Sequence, residues 1–423
     1  MNSGTTTGLS VKRPLGSLAL LAATLVFLEC VLSLLCVESK SVRLLLTSVP
    51  PSIPDPVLGV RMNPEYPDHD SAGFRNSSVL DSSYVVALGD SQTYGLWVLA
   101  DEAWPHQLST LSGHSVYNMG VSGYGPVQHL ALIHQAISLH PRWVLEALYA
   151  GNDLYDAFYM TYRWSQPTDL RSTDPAIVSA IDNAETQARI LGVDEFRTGP
   201  GRPDSNPPPG LRSYLAQHSS LWGLLRAVKA VAITTNYFRS VGSDALWAKV
   251  VGEARTTGGK WVPFEQGPVR TILTPDYRLA VVNLEDPRIR EGLRVSIELM
   301  KRMSAIAQRD GAHFAIVLIP TKELVFLDTF GVVSPDALTP LAKLGRNEQE
   351  VWREIKNELH KSGISYVDVL PALRVALRAG ESPYQITSDG HPNARGHKAI
   401  AEAVWRHLQG LENGHEESIA EAP

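Results

Sequence analysis

Cysteine is nearly absent: the 423-residue chain has two, Cys30 and Cys36, and both fall in one apolar run near the N-terminus. The remainder has no thiol for a disulfide framework, a zinc cluster or a nucleophile. A basic excess is missing as well. With 38 Lys+Arg against 44 Asp+Glu and a formal charge of −6, the electrostatic basis for gripping a phosphate backbone is gone, and nucleic acid is not an expected partner. The histidines at 129, 134 and 140 are five and six positions apart, off any common helix face, so no metal site is expected from them. Long apolar runs are equally scarce, with one exception close to the N-terminus.

That exception, Pro14 to Val37, carries Glu29 as its sole charge, and a helix of about 20 residues crosses the hydrocarbon core of a bilayer. The run is longer than a signal-peptide core and lacks a small-x-small cleavage site after it, so a single membrane span over 14–37 is preferred to a cleaved leader. Lys12 and Arg13 precede it, while Glu38, Lys40 and Arg43 follow. The charge bias favours a cytoplasmic 1–13 and an extracytoplasmic, periplasmic domain on the inner membrane. Glu29 either pairs with a partner helix inside the membrane or sits near an interface and snorkels.

Beyond the span, a proline-rich segment within 38–83 suits an extended stalk that becomes edge strands. Short apolar runs rich in branched residues then alternate with helical patterns, as in a parallel sheet wrapped by helices. Strands are predicted at Tyr84–Leu88, Ser115–Asn118, Trp143–Tyr149, His313–Ile319 and Tyr366–Val369. Helices are predicted near Asp101–Leu111, with Asp101 as N-cap, and at Val127–Leu139, Arg288–Gln308, Arg346–Lys361 and Asn393–Leu408. The distance between the third and fourth strands exceeds any ordinary connection. The domain therefore divides into 84–153 and 288–410, with an inserted subdomain over 154–287. Within the insertion, helical patterns at Pro175–Leu191 and Tyr214–Val231 flank a proline-rich linker at Gly199–Gly210. The second pattern carries a stripe of Leu221, Leu224, Leu225, Val228 and Val231, which is a packing face or a face that docks on the membrane. Residues 411–423 read as an acidic disordered tail.

Four polar blocks fall at the carboxyl ends of predicted strands or in the loop before the last helix, where open α/β sheets bind ligands. Gly89-Asp-Ser91 puts a serine just past the first strand. Glycines 120, 123 and 125 follow the second, and Gly151-Asn-Asp153 follows the third. Asp389-Gly-His391 enters the final helix. Each block alone is ordinary turn or cap chemistry. Together they supply a nucleophile, an amide donor for a developing oxyanion, and a histidine with a carboxylate to orient it. Asp90 and Asp153 read as caps.

In this order the blocks resemble the SGNH (GDSL-type) hydrolase superfamily. Asp55-Pro-Val-Leu-Gly-Val-Arg61, Gly73-Phe-Arg-Asn76, Tyr117-Asn-x-Gly-x-x-Gly-Tyr-Gly125 and Ile319-Pro-Thr-Lys-Glu323 resemble its bacterial membrane-anchored members. The resemblance covers roughly 55–160 and 290–410. It implies a flavodoxin-like three-layer α/β/α sandwich around a parallel sheet of about five strands. Ser91 would be the nucleophile and His391 the base. The backbone N–H groups of Ser91 and Gly123 and the side-chain amide of Asn152 would form the oxyanion hole. Many members place the acid three residues before the histidine, where this chain has Ser388. Asp389 stands two before, a spacing similar to the polysaccharide O-acetylation branch, and is assigned as the acid.

The chemistry so implied is acyl transfer through serine, with no cofactor. The expectation is a membrane-anchored esterase acting on an ester, an acetyl ester in the first instance, of an extracytoplasmic carbohydrate or lipid. An O-acetyltransferase of a surface polysaccharide, fed by a membrane acyl-transfer partner, uses the same triad, and a non-catalytic glycan-binding module is the third possibility. For substrate contact the candidates are Tyr155 and Tyr159, from the aromatic set Tyr155, Phe158, Tyr159, Tyr162 and Trp164, and Lys322. The same aromatics would also serve as a core, and Lys322 would also serve to hold Glu323 or lie solvated on the surface.

Overall fold

The computed structural model describes residues 13–46, 49–66, 68–164, 167–191, 214–215, 218–229, 244–331 and 338–413. An antiparallel pair, β1 (Ser52–Asp55) and β2 (Gly59–Met62), precedes the main sheet. The main sheet is built from β3 (Val85–Gly89), β4 (Val116–Gly120), β5 (Trp143–Tyr149), β8 (His313–Ile319) and β9 (Ser365–Asp368), after a second antiparallel pair, β6 (Val262–Gln266) and β7 (Val269–Leu273), has intervened in the chain. Every residue of β3, β4 and β5 is buried, which requires a sheet covered on both faces.

The five strands are all parallel, in the order β4-β3-β5-β8-β9. The chain moves outward from β3 to β4 and then crosses back to β5, so the order reverses at β3, the position where such sheets open a crevice beyond their carboxyl ends. Side chains alternate between two cores. Val86, Leu88, Val144, Leu148, Ile316 and Leu318 face one, shared with helices Pro126–Ile137, Asp153–Tyr162, Pro287–Arg309 and Leu338–Lys361. Val85, Ala87, Leu145, Ala147, Val317 and Val367 face the other, with helices Trp104–Ser112, Lys322–Phe330, Leu370–Arg378 and Ala394–Glu412. The result is the expected three-layer α/β/α sandwich around a five-stranded parallel sheet.

The domain boundaries differ from expectation. The chain groups into one unit of residues 52–64, 68–203 and 242–423, and another of 1–51, 65–67 and 204–241. The span 154–287 is therefore not a body of its own. Its helix Asp153–Tyr162 packs on Pro287–Arg309 so closely that a Cβ on Gly292 would come within 1.8 Å of the Leu154 carbonyl oxygen. Phe264, Val269 and Leu273 of β6 and β7 belong to the second core. The linker Gly199–Gly210 lies outside the described residues, as do 414–423, whereas Leu411 and Glu412 are helical. Glu412 accepts hydrogen bonds from Tyr84, from Arg142 at 2.8 Å and from the Trp143 indole at 3.2 Å, so the final helix is tied to the amino edge of the sheet. Asp101 lies in a short 3-10 turn and does not cap the helix after it. That helix begins at Trp104 with Pro105 in its first turn, where a missing N–H costs nothing.

In the smaller unit, helix Arg13–Glu38 is long and apolar enough to cross a membrane, and leucines and Phe27 along it are exposed. Glu29 has a partner. Its carboxylate accepts from Ser219 Oγ (2.8 Å) and from the backbone N–H groups of Ser220 (2.5 Å) and Leu221 (3.1 Å), the start of helix 220–229. A carboxylate on the unpaired N–H groups of a helix start satisfies both. Farther along, Cys36, Leu46 and Ala227 pack together with Leu32, Val42 and Leu224. Leu225 and Val228 of the predicted stripe stay exposed; Val231 lies outside the described residues.

Candidate active site

Ser91 opens a four-residue helix, Ser91–Tyr94, directly after β3. Asp90 caps it, accepting from the Gln92 N–H at 2.8 Å, and Gly95 ends it in the left-handed region at φ 80°. This sharp turn leaves the Ser91 hydroxyl half-buried at the carboxyl edge of the sheet. The loop leaving β4 lies against it, with the Val121 N–H on the Gly89 carbonyl at 2.9 Å. Gly120 has no room for a side chain, since a Cβ there would meet the Tyr94 nitrogen at 2.4 Å. Gly123, at φ 81°, turns the same loop.

The distant C-terminal loop supplies the rest. His391 Nε2 lies 2.8 Å from Ser91 Oγ, and His391 Nδ1 lies 2.8 Å from Asp389 Oδ1. The same Asp389 oxygen accepts the His391 backbone N–H at 2.8 Å. Burial pushes the Asp389 carboxyl up, but the hydrogen bonds and charge of His391 and the nearby Lys322 outweigh it and hold the group below its ordinary value. An ionised carboxylate behind an imidazole that faces a serine is the arrangement that lets the imidazole take a proton. Ser388 makes no hydrogen bond among the described contacts.

Asn152 follows β5. Its Nδ2 donates to Asp156 Oδ2 at 2.7 Å, and the same amide also hydrogen-bonds the Asp90 carboxyl, so two carboxyls orient it. Asp153 does not cap a helix: it receives the Tyr149 N–H at 2.7 Å and fixes the end of β5. The carboxyls of Asp90, Glu146, Asp153 and Asp156 are all buried, with His129 3.2 Å from Glu146. Burial raises the carboxyls of Asp90 and Glu146, and burial together with the charge of Asp90 raises Asp153.

Three expected substrate contacts fall elsewhere. Tyr155 is fully buried in the first core, and Tyr159 is half-buried under the Arg163 guanidinium. Phe158 and Tyr162 stack on each other, so the aromatic set is a packing cluster. Lys322 is wholly buried. Its Nζ reaches the carbonyls of Ile272 (2.7 Å), Asp389 (2.8 Å) and Thr387 (2.9 Å) and the Thr271 hydroxyl (3.3 Å). Three ammonium protons are thus shared among four acceptors, and none is left for a substrate. Lys322 braces the loop that carries Asp389 and His391. Burial lowers it to about 8, against the opposing pull of Glu323.

Other residues were not predicted. Arg75 holds the carbonyls of Tyr94, Gly95 and Val98, and itself leans on Asp68 at 2.6 Å. Asp70 receives the Tyr117 hydroxyl at 2.6 Å, and Asn76 exchanges bonds with the Asn118 backbone. The expected stalk is therefore, from Asp68 onward, part of the site's support. Its one signal in the sequence is the Gly73-Phe-Arg-Asn76 block. Arg278 donates to the Gly151 carbonyl at 3.0 Å, and its guanidinium occupies the space that a side chain at Gly390 would need. It joins the loop after β5 to the loop of His391.

No family model and no curated protein matches the chain. Among solved structures it is similar to a catalytic mutant of an acetylxylan esterase from Geobacillus stearothermophilus (9% identity, TM-score 0.34, 78% of this chain and 95% of that one). It is also similar to a GDSL-like lipase from Bacteroides thetaiotaomicron (11%, 0.30, 78% and 88%) and to phospholipase A1 from Streptomyces albidoflavus (11%, 0.35, 78% and 99%). At such identities and scores, the chemistry of this site has to be read from its own atoms.

Proposed function

We propose that the protein is a serine esterase of the SGNH kind, tethered to a membrane by helix Arg13–Glu38, with its catalytic domain outside the cytoplasm. The observation that supports it is the continuous relay of Asp389, His391 and Ser91, with both links at 2.8 Å, at the edge where the sheet order reverses. His391 takes the proton as Ser91 Oγ attacks an ester carbonyl, and Asp389 stabilises the imidazolium. The N–H groups of Ser91 and Gly123 and the side-chain amide of Asn152 receive the negative charge on the tetrahedral oxygen. The alcohol leaves with the proton from His391, and water then releases the acyl group. The substrate is an acyl ester, acetyl in the first instance, of a carbohydrate. The spacing of Asp389 and His391 keeps a sugar hydroxyl in view as an alternative acceptor.

The test is a fluorophosphonate probe on the detergent-solubilised full chain. Labelling at Ser91, lost in Ser91→Ala, together with cleavage of acyl esters, supports the esterase. Absence of both points to a non-catalytic module. Adding polysaccharide to the assay and measuring acetyl transferred against acetate released separates the two acceptors.

A further inference from the structure

Trp97 lies in the loop that follows the nucleophile's short helix, and two features of it go unexplained by the fold. Its backbone is in the left-handed region at φ 69°, and its side chain is 68% exposed. Glycine takes that conformation freely, whereas a bulky residue takes it only under strain. Among the described residues other than glycine, only His140 shares it. No hydrogen bond or ring contact in the described structure holds the indole, so neither offsets the strain.

The loop cannot relax. The Leu96 N–H donates to the Ser91 carbonyl at 3.1 Å, which ties the residue before Trp97 to the nucleophile. The Arg75 guanidinium grips the carbonyls of Gly95 at 2.6 Å and Val98 at 2.9 Å, one on each side of Trp97. A braced loop that starts at the catalytic serine thus presents an uncovered indole, with Leu99 beside it 66% exposed.

Resting on the esterase reading, we propose that Trp97 is a substrate-contacting residue, the stacking platform for a ring of a neutral saccharide whose ester is presented to Ser91. A single flat aromatic face covers the C–H side of a sugar while the hydroxyls stay in water. An acyl chain would instead need a concave apolar pocket to remove it from water. An anionic lipid surface would need cations around the aromatic group. Arg75 is buried and spent on the loop carbonyls and Asp68, from Asn76 through Pro141 the chain has neither lysine nor arginine, and Asp101 and Glu102 follow the loop directly. The same absence disfavours an acidic glycan.

The experiment uses the full chain in detergent micelles, as wild type, Trp97→Gly and Trp97→Phe. It measures kinetics on p-nitrophenyl acetate and on O-acetylated cello- and malto-oligosaccharides, calorimetric binding of the same sugars, and melting temperature. Trp97→Gly should melt at or above the wild-type temperature, because the strain is relieved. Its loss of kcat/KM on the oligosaccharides, carried by KM, should exceed its loss on p-nitrophenyl acetate by about tenfold, and Trp97→Phe should fall between. Equal losses on both substrates would make Trp97 a prop for Ser91 and overturn the proposal. So would an unchanged oligosaccharide KM accompanied by lost co-sedimentation with phosphatidylglycerol vesicles, or a wild-type chain that binds none of the sugars. If Ser91 fails to label, the esterase reading falls, while sugar binding lost in Trp97→Gly still supports the platform.

Discussion

Ser91 Oγ and His391 Nε2 are 2.8 Å apart although 300 positions separate them in the chain. The partner of that contact, Asp389, uses one carboxylate oxygen for both the ring and the backbone N–H of His391. A separation of two residues suits this double grip, because the loop turns back on itself without a long excursion. Asp389→Asn keeps the shape but removes the charge that stabilises the imidazolium. We expect kcat to fall about 10²-fold or more, with Ser388→Ala close to wild type. The ranking in one ester assay, with circular dichroism to verify folding, decides between the two residues, and a severe Ser388→Ala defect beside a mild Asp389→Asn one reverses the assignment.

Ser91→Ala removes a half-buried hydroxyl at the start of a short helix and leaves the Asp90 cap intact. Ester cleavage should be abolished with the melting temperature nearly unchanged. Turnover that survives in the folded variant would remove Ser91 from the mechanism.

Lys322 predicts an alkaline limit. Its amine titrates at about 8 in the folded chain rather than at 10.5. The groups acting on it are Glu323 and Asp389, which favour its charge, and Arg278, which opposes it. Between these pH values the unfolded chain holds more protons than the folded one, so this group's contribution to stability rises with pH across the window. Activity should run the other way, because a neutral amine has fewer protons to give the carbonyls of Thr387 and Asp389. A pH–rate profile should show kcat falling above about pH 8 with no matching drop in melting temperature, and Lys322→Met should lower kcat and abolish that limb. A limb that persists in Lys322→Met assigns it to another group.

Gly292→Ala tests the joint between helices Asp153–Tyr162 and Pro287–Arg309. The added carbon would lie 1.8 Å from the Leu154 carbonyl oxygen, so the helices must part. Overpacking of this kind costs about 1–3 kcal/mol and occasionally more. The loss should be read by thermal or urea unfolding. A variant as stable as wild type would mean that the joint is looser than described.

Glu29 is testable through its neighbours. Cys36 and Ala227 pack together, so Ala227→Cys in a Cys30→Ser background should form a disulfide with Cys36 under oxidation in membranes. Glu29→Ala removes the acceptor for Ser219, Ser220 and Leu221 and should cut the cross-linked fraction severalfold. An equal yield would show that the carboxylate does not hold the helix.

Much of the sheet was legible in the sequence because fully buried strands read as unbroken apolar runs: Trp143–Tyr149 and His313–Ile319 fall where predicted, and the other three lie within two residues. The candidates Ser91, Asn152 and His391 were legible because strand ends and helix starts mark the edge where such sheets bind ligands. Other features depend on contacts that no local pattern encodes. The carbonyls that surround Lys322 come from β7 and from the loop before the last helix, so the sequence shows a charge without its burial. Tyr155 reads alike as platform or core, since an aromatic side chain serves either role. Arg278 comes from a stretch that lacks any recognisable motif. The Arg75 and Asp70 bonds join residues far apart in the chain, whose pairing exists only after folding.

The grip of Arg75 on Tyr94, Gly95 and Val98, with Asp70 and Asn76 bonded to β4, also defines where the molecule is vulnerable. A single proteolytic nick between Asn76 and Tyr84 would leave Ser91, Asp389 and His391 on one fragment, yet would sever covalently the segment that shapes the loop after Ser91. A cut at that point should impair the site, whereas a cut ahead of Ser52 should leave its support whole.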